Sequence, residues 1–174
     1  MGDAMPRRVQ LTLTLVIAAI LLPATAHPVI IPLSVSMDCA QANAGAGTCG
    51  AGGSGTGSAS LTLDTGTNAL VWSITWSGLS GTPTVMHFHG PALPNQNAGV
   101  QVGTGVAGPP VVGNAVLAAG QVTDLLAGLW YLNLHTDVFG AGEIRGQVVP
   151  EPATLLLIGA GLVALAAARR RRTG

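Results

Sequence analysis

Strict alternation of apolar and polar residues marks the middle of the chain. In Ser58 to Asp64, Ala59, Leu61 and Leu63 take every second position. In Ala69 to Gly78, Leu70, Trp72, Ile74 and Trp76 alternate with Ser73, Thr75 and Ser77. Side chains two apart share one face of a strand, so each run predicts a half-buried strand with its apolar set inward. "DTGTN" between them supplies turn chemistry for a hairpin. Further strands are expected over Val29 to Asp38, through Thr84 to Gly90, over Leu129 to Thr136 and over Glu143 to Val149.

The intervening segments read differently. Ala44 to Ser58 is a Gly/Ala/Ser/Thr run without periodicity, expected as an exposed loop. Pro91 to Asn114 is rich in Gly, Pro and Asn and is expected to hold at most a short strand around Gly99 to Val102. "AAGQVTDLLAG" is the one helical candidate: Val122, Leu125 and Leu126 fall on one side, and Gly128 can end it. Seven or so short strands with one short helix predict an all-β fold, an antiparallel sandwich or flattened barrel.

The two ends carry longer apolar runs. Arg7 and Arg8, the run Val9 to Leu22 and "ATA" at 24–26 read as a secretory signal peptide over residues 1–26, with an uncleaved anchor as the alternative. Cleavage there makes His27 the new terminus, where its amine and ring could brace copper or simply lie unstructured. At the other end Pro150, Glu151 and Pro152 precede the apolar segment Ala153 to Ala168 and four arginines, Arg169, Arg170, Arg171 and Arg172. At about 1.5 Å per residue that segment spans roughly 24 Å, a marginal membrane helix. The arginines should stay cytoplasmic, leaving the preceding domain outside.

This order of PEP triplet, apolar helix and arginine cluster resembles the PEP-CTERM sorting signal of bacterial exported proteins. The resemblance implies transient membrane anchoring and processing by an exosortase-type enzyme, after signal peptidase has acted on the N-terminus. The expected organisation is therefore signal peptide 1–26, one domain 27–149 and sorting signal 150–174.

Charge and cysteine content narrow the domain's role. Asp38, Asp64, Asp124, Asp137 and Glu143 face only Arg145, and there is no lysine. A charge-poor, weakly acidic surface argues against nucleic acid or anionic lipid as a partner. Cys39 and Cys49 are the only cysteines, and in an oxidising compartment they are expected to pair.

Three ordered motifs carry a second resemblance: His87-Phe88-His89-Gly90-Pro91, Asn133-Leu134-His135-Thr136 and Gly142-Glu143-Ile144-Arg145-Gly146. Together with the strands around them they are similar to the CHRD family, named after chordin, over Gly57 to Val148. The family's looser first strand falls in Ile30 to Ala42, and the Cys39–Cys49 loop departs from the proline-rich run that is usual there. The resemblance implies an extracellular β domain of no assigned catalytic activity. At the level of motif and architecture, the pattern also resembles the Greek-key barrel of copper/zinc superoxide dismutase. That barrel presents an HxH pair on one strand and a further copper-binding histidine near the end of a later one.

Strand parity puts His87 and His89 opposite Met86 and Phe88, and His135 opposite Trp130, Leu132 and Leu134. If their strands adjoin, three imidazoles converge and could hold one copper or zinc ion. The alternative is a hydrogen-bond cluster that pins loops, with Asp137 or Glu143 as partners. Glu143 and Arg145 share a strand face and are expected to form an ion pair or rim contact. No nucleophile–base arrangement is recognisable, so an enzyme is not expected. The function expected is that of an exported structural or binding component of the cell surface or extracellular matrix, the alternative a mononuclear copper or zinc protein. Extracellular polysaccharide or surface proteins are the further candidate partners, although exposed aromatics are few.

Overall fold

The computed structural model describes residues 28–44, 49 and 53–151. Eight strands and two short helices follow one another as β1 (Ile30–Asp38), α1 (Cys39–Ala44), β2 (Thr56–Asp64), β3 (Ala69–Ser77), β4 (Pro83–His89), β5 (Val100–Gly103), β6 (Val111–Val116), α2 (Ala119–Leu126), β7 (Tyr131–Thr136) and β8 (Ile144–Pro150). All pairings are antiparallel, in the order β5-β4-β7-β8-β1-β2-β3-β6. Hairpin neighbours stay paired, while β3 and β4, β5 and β6, and β6 and β7 fall in opposite halves of the sheet, the Greek-key arrangement expected for a flattened barrel. The expected hydrophobic helices at the two ends lie outside the described residues. Among those described, no helix is long and apolar enough to cross a membrane.

The sheet curls because its two halves bury one apolar face against each other. Trp72 of β3 meets Phe88 of β4 edge-on, with ring centroids 5.5 Å apart, although the strands stand near opposite ends of the order. Phe88 also lies 6.2 Å from Trp130, and Ile74, Met86, Leu132 and Leu134 fill the space between with no exposed surface. The alternation read from the sequence holds: Ala59, Leu61, Leu63, Leu70, Trp72 and Ile74 are buried, while Trp76, near the end of β3, is only half-buried.

Two elements depart from expectation. α1 occupies part of what reads as a strand-to-loop transition. It forms because Asp38 caps it, accepting from the backbone N–H of Gln41 at 2.7 Å, while the Gln41 amide donates to the other carboxylate oxygen at 2.9 Å. β6 begins within the Gly/Pro/Asn stretch, expected to hold at most one short strand, and runs two residues past its end. Its six residues pair in unbroken register with β3, from Ala69 opposite Val116 to Ile74 opposite Val111. A weak local signal is overridden there by an available ladder on β3. α2 appears as expected and ends in a Schellman motif. Gly128, at φ +73°, donates to the Leu125 carbonyl, and Leu129 donates to that of Asp124.

Cys39 and Cys49 are joined by a disulfide, with Cα atoms 5.4 Å apart. The bridge closes the connection between β1 and β2, which pair from Ile30 opposite Asp64 to Asp38 opposite Thr56. Pro150 belongs to β8, opposite Leu33, and the Glu151 N–H donates to the Pro32 carbonyl.

A crosslink spanning 10 residues constrains mainly the unfolded chain. Replacing Cys39 and Cys49 by alanine should therefore lower unfolding free energy by about 2–3 kcal/mol. Urea titration of the oxidised protein and the double variant measures it, and equal midpoints would contradict the expectation.

Candidate metal centre

β4 and β7 are adjacent, and their register decides what the histidines can do. His87 stands opposite Asn133, His89 opposite Tyr131, and His135 opposite Val85, one diagonal step from His87. The inward positions Met86, Phe88, Leu132 and Leu134 fix that register through the core, so the three imidazoles must share the other face. Ring centroids lie 5.5 Å apart for His87–His89, 5.6 Å for His87–His135 and 6.1 Å for His89–His135. One nitrogen from each ring lies within 4.8 Å of the others. A metal at 2.0–2.1 Å from three imidazole nitrogens holds them about 3.3–3.6 Å apart, so closure asks for ring movements of roughly an ångström.

Hydrogen bonding fixes the tautomer of two of the three rings. His89 Nδ1 lies 3.0 Å from the Ala98 carbonyl, and His135 Nδ1 lies 2.9 Å from that of Gly140. A carbonyl only accepts, so both Nδ1 atoms carry the proton and both Nε2 atoms present a lone pair. His135 Nε2 accepts from the Asn133 amide at 3.3 Å. His89 Nε2 and His87 Nδ1 are buried without a hydrogen-bond partner among the described residues. Buried polar atoms of this kind are costly to leave unsatisfied.

The expected partners of the histidines do not partner them. Asp137 accepts from the Thr82 N–H at 2.8 Å. Glu143 is fully buried and accepts from the Thr136 hydroxyl at 2.8 Å and from the Ser80 N–H. Backbone carbonyls take the place of both carboxylates. Nor do Glu143 and Arg145 pair with each other. Arg145, only 2% exposed, donates to the Gln96 carbonyl at 2.7 Å, to Asn97 Oδ1 at 3.1 Å and to the Leu93 carbonyl at 3.5 Å.

That arginine belongs to a layer that sequence reasoning missed. The outer face of β7 and β8 is itself buried, by the segment from Ala92 to Ala98. The Arg145 guanidinium lies 3.5 Å from the centroid of Tyr131, whose other face stacks on His89 at 4.9 Å and 5°. Tyr131 Oη accepts from the Ala98 N–H at 3.1 Å, and Gln147 donates to the carbonyls of Ala92 and Gly128. Asn133 bonds the Ala141 carbonyl and packs on Gly142, whose φ of +124° and lack of Cβ make room for the amide. The alternation Tyr131-Asn133-His135 beside Arg145-Gln147 was visible as a signal, since two paired strands carry polar side chains on one face. What covers them is set by the loop.

Tyr131, Trp72 and Trp130 are buried, while Trp76, near the end of β3, is half-buried. Cys39 and Cys49 are consumed by their bridge and lend no thiolate to a metal. His27, Pro152 and Arg169 to Arg172 lie outside the described residues.

Comparison with known families finds the CHRD domain over residues 33–148 and the PEP-CTERM protein-sorting motif over 148–172. No curated protein and no solved structure matches the chain.

Burial lowers the pKa of His87 and His89 below the ordinary imidazole value, and the charge of neighbouring rings adds to the effect; at His89 the Ala98 bond opposes it. The unfolded chain then binds more protons than the folded one. Stability of the metal-free protein is complete above about pH 6.5 and falls as pH drops through the lowered values. Urea midpoints with chelator present should decline on acidification in the wild type and more gently in a His87→Gln/His89→Gln double variant. Parallel profiles for the two would contradict this.

Proposed function

The chain belongs to the CHRD domain family, and on that premise we propose that its exported domain works as a binding component of the cell surface or extracellular matrix, holding one transition-metal ion at His87, His89 and His135. The sorting motif that follows the domain supports export and processing by an exosortase-type enzyme. The observation that carries the metal reading is the pair of buried, unpartnered imidazole nitrogens in the His87–His89–His135 cluster.

The two readings of the histidines use different atoms. Nδ1 of His89 and of His135 pins a loop, while Nε2 of each faces the cluster. Metal-binding imidazoles characteristically donate their other N–H to a carbonyl or carboxylate, which fixes the tautomer and aims the lone pair. Loop-pinning here therefore prepares the site and does not compete with it. Three neutral nitrogen donors and no carboxylate suit copper, zinc or nickel, with copper(II) favoured among divalent ions of equal availability. An Asn133 amide that leans on His135 Nε2 has to yield, and its second bond to Ala141 gives it a place to go.

Metal analysis of the exported protein after copper or zinc loading and desalting tests the assignment. About one equivalent is expected in the wild type, and His87→Ala or His135→Ala should each retain a small fraction of it. Retention below about a tenth of an equivalent by the wild type would sink the metal reading while leaving the sorting reading intact.

The sorting reading has its own measurement. Mass spectrometry of the protein recovered outside the cell should find no peptide containing Arg169 to Arg172, and an intact arginine tail there would contradict processing. The domain limits proposed, a signal peptide over 1–26 and a sorting signal from 150, are read from the same spectra as the mature termini.

A further inference from the structure

Among the described residues the sheet has two open edges, β5 and β6, and they are not alike. β5 has four residues, and its partner β4 carries an irregularity between Phe88 and His89. Shortness and bulges are how sheet edges are ordinarily protected from pairing with another chain. β6 has six residues, Val-Val-Gly-Asn-Ala-Val, in continuous register with β3, and contains neither a charge nor a proline. Val112 is 68% exposed and Val116 is 75% exposed. Their outer-face neighbours on β3 are Ser73, Val71 and Ala69, which extend the same uncharged surface.

The direction of the free backbone groups follows from one bond. Leu117 N–H donates to the Asn68 carbonyl in the register of the β6–β3 ladder. Hydrogen-bonded and non-bonded positions alternate along an antiparallel pair. Residues 111, 113 and 115 therefore bond toward β3, and the N–H and C=O groups of Val112, Asn114 and Val116 point away from it. The same three residues present their side chains on the outer face.

This sequence of edge residues reads the same in both directions: valine, asparagine, valine at 112, 114 and 116. We propose that β6 pairs antiparallel with β6 of a second copy of this chain about a twofold axis at Asn114. Asn114 then lies opposite the second Asn114, and Val112 lies opposite the second copy's valine at 116. Each of these residues exchanges both of its outward backbone bonds with the residue opposite, and the valines form apolar cross-strand pairs on the outer face. An isologous contact of this kind closes on itself and leaves no free edge at β6 to propagate. A second copy is favoured over a peptide of other sequence because the strand is its own complement. It is favoured over a charged partner because the strand and its β3 neighbours carry nothing to pair with one.

Sedimentation velocity of the exported protein over a range of micromolar concentrations tests the proposal, with Asn114→Pro as the variant. Proline removes only an N–H that points away from β3, so the intrachain ladder is kept. The wild type should sediment at twice the monomer mass and Asn114→Pro at the monomer mass. Should the proline variant lose its β circular-dichroism signal, Val112→Lys/Val116→Lys, altered only at exposed side chains, carries the same expectation. Amide exchange adds a site-resolved reading: the Val112, Asn114 and Val116 amides should be protected in the wild type and should lose that protection on dilution to monomer. A wild type that stays monomeric throughout overturns the proposal, and so does a dimer that survives the edge variants.

Discussion

A single buried cation organises the working face of this domain. Arg145 is its one basic side chain apart from histidine, and it lies in the interior instead of in solvent. Desolvation lowers its pKa, yet a guanidinium stays charged at any ordinary pH, so it must find acceptors and a polarisable neighbour. It finds the carbonyls of Leu93 and Gln96, the Asn97 side chain and the face of Tyr131. Those bonds draw the 92–98 segment across the sheet. Ala98 then arrives beside His89 and Tyr131, and its carbonyl decides which nitrogen of His89 keeps the proton. The orientation of a candidate metal ligand on β4 is thus governed by an arginine on β8.

The core and the polar layer divide the two faces of the same strands between them. Phe88 and His89 are successive residues, one locked among Trp72 and Trp130, the other stacked on Tyr131. A slip of one residue in β4 would exchange them, placing imidazole against indole and phenyl against the loop. The apolar contacts therefore do more than stabilise the barrel. They set the positions at which one nitrogen from each of three rings lies within 4.8 Å of the others.

Much of this was legible in the primary structure and some of it was not. Period-two runs located β2, β3 and the two closing strands, because a half-buried strand writes its burial directly into residue order. The parity of His87, His89 and His135 was legible for the same reason, and the paired cysteines followed from compartment and count. β6 was not legible: Val-Val-Gly-Asn-Ala-Val has little alternation, and it is a strand only because β3 offers a ladder. The partners of the histidines were misread as Asp137 and Glu143. A carboxylate is the obvious acceptor on paper, but Thr82, Thr136 and Ser80 had prior claim to both, and Thr82 and Ser80 reach them from a distant part of the chain that only folding brings near. Burial of Arg145 was hidden for a related reason, since an isolated arginine in an acidic domain reads as surface until a loop is seen to cover it.

The last strand joins the domain to its sorting motif with no slack. Pro150 is still in β8, and Glu151 is bonded back to Pro32. β8 is flanked on both sides, by β7 and by β1. A pull on the C-terminal end therefore enters the molecule at the middle of the sheet, where two ladders must shear together, and not at an edge from which one strand can be peeled. Mechanically, the tail is attached at a strong point of the fold, and the domain would transmit tension from whatever holds it before it yields to it.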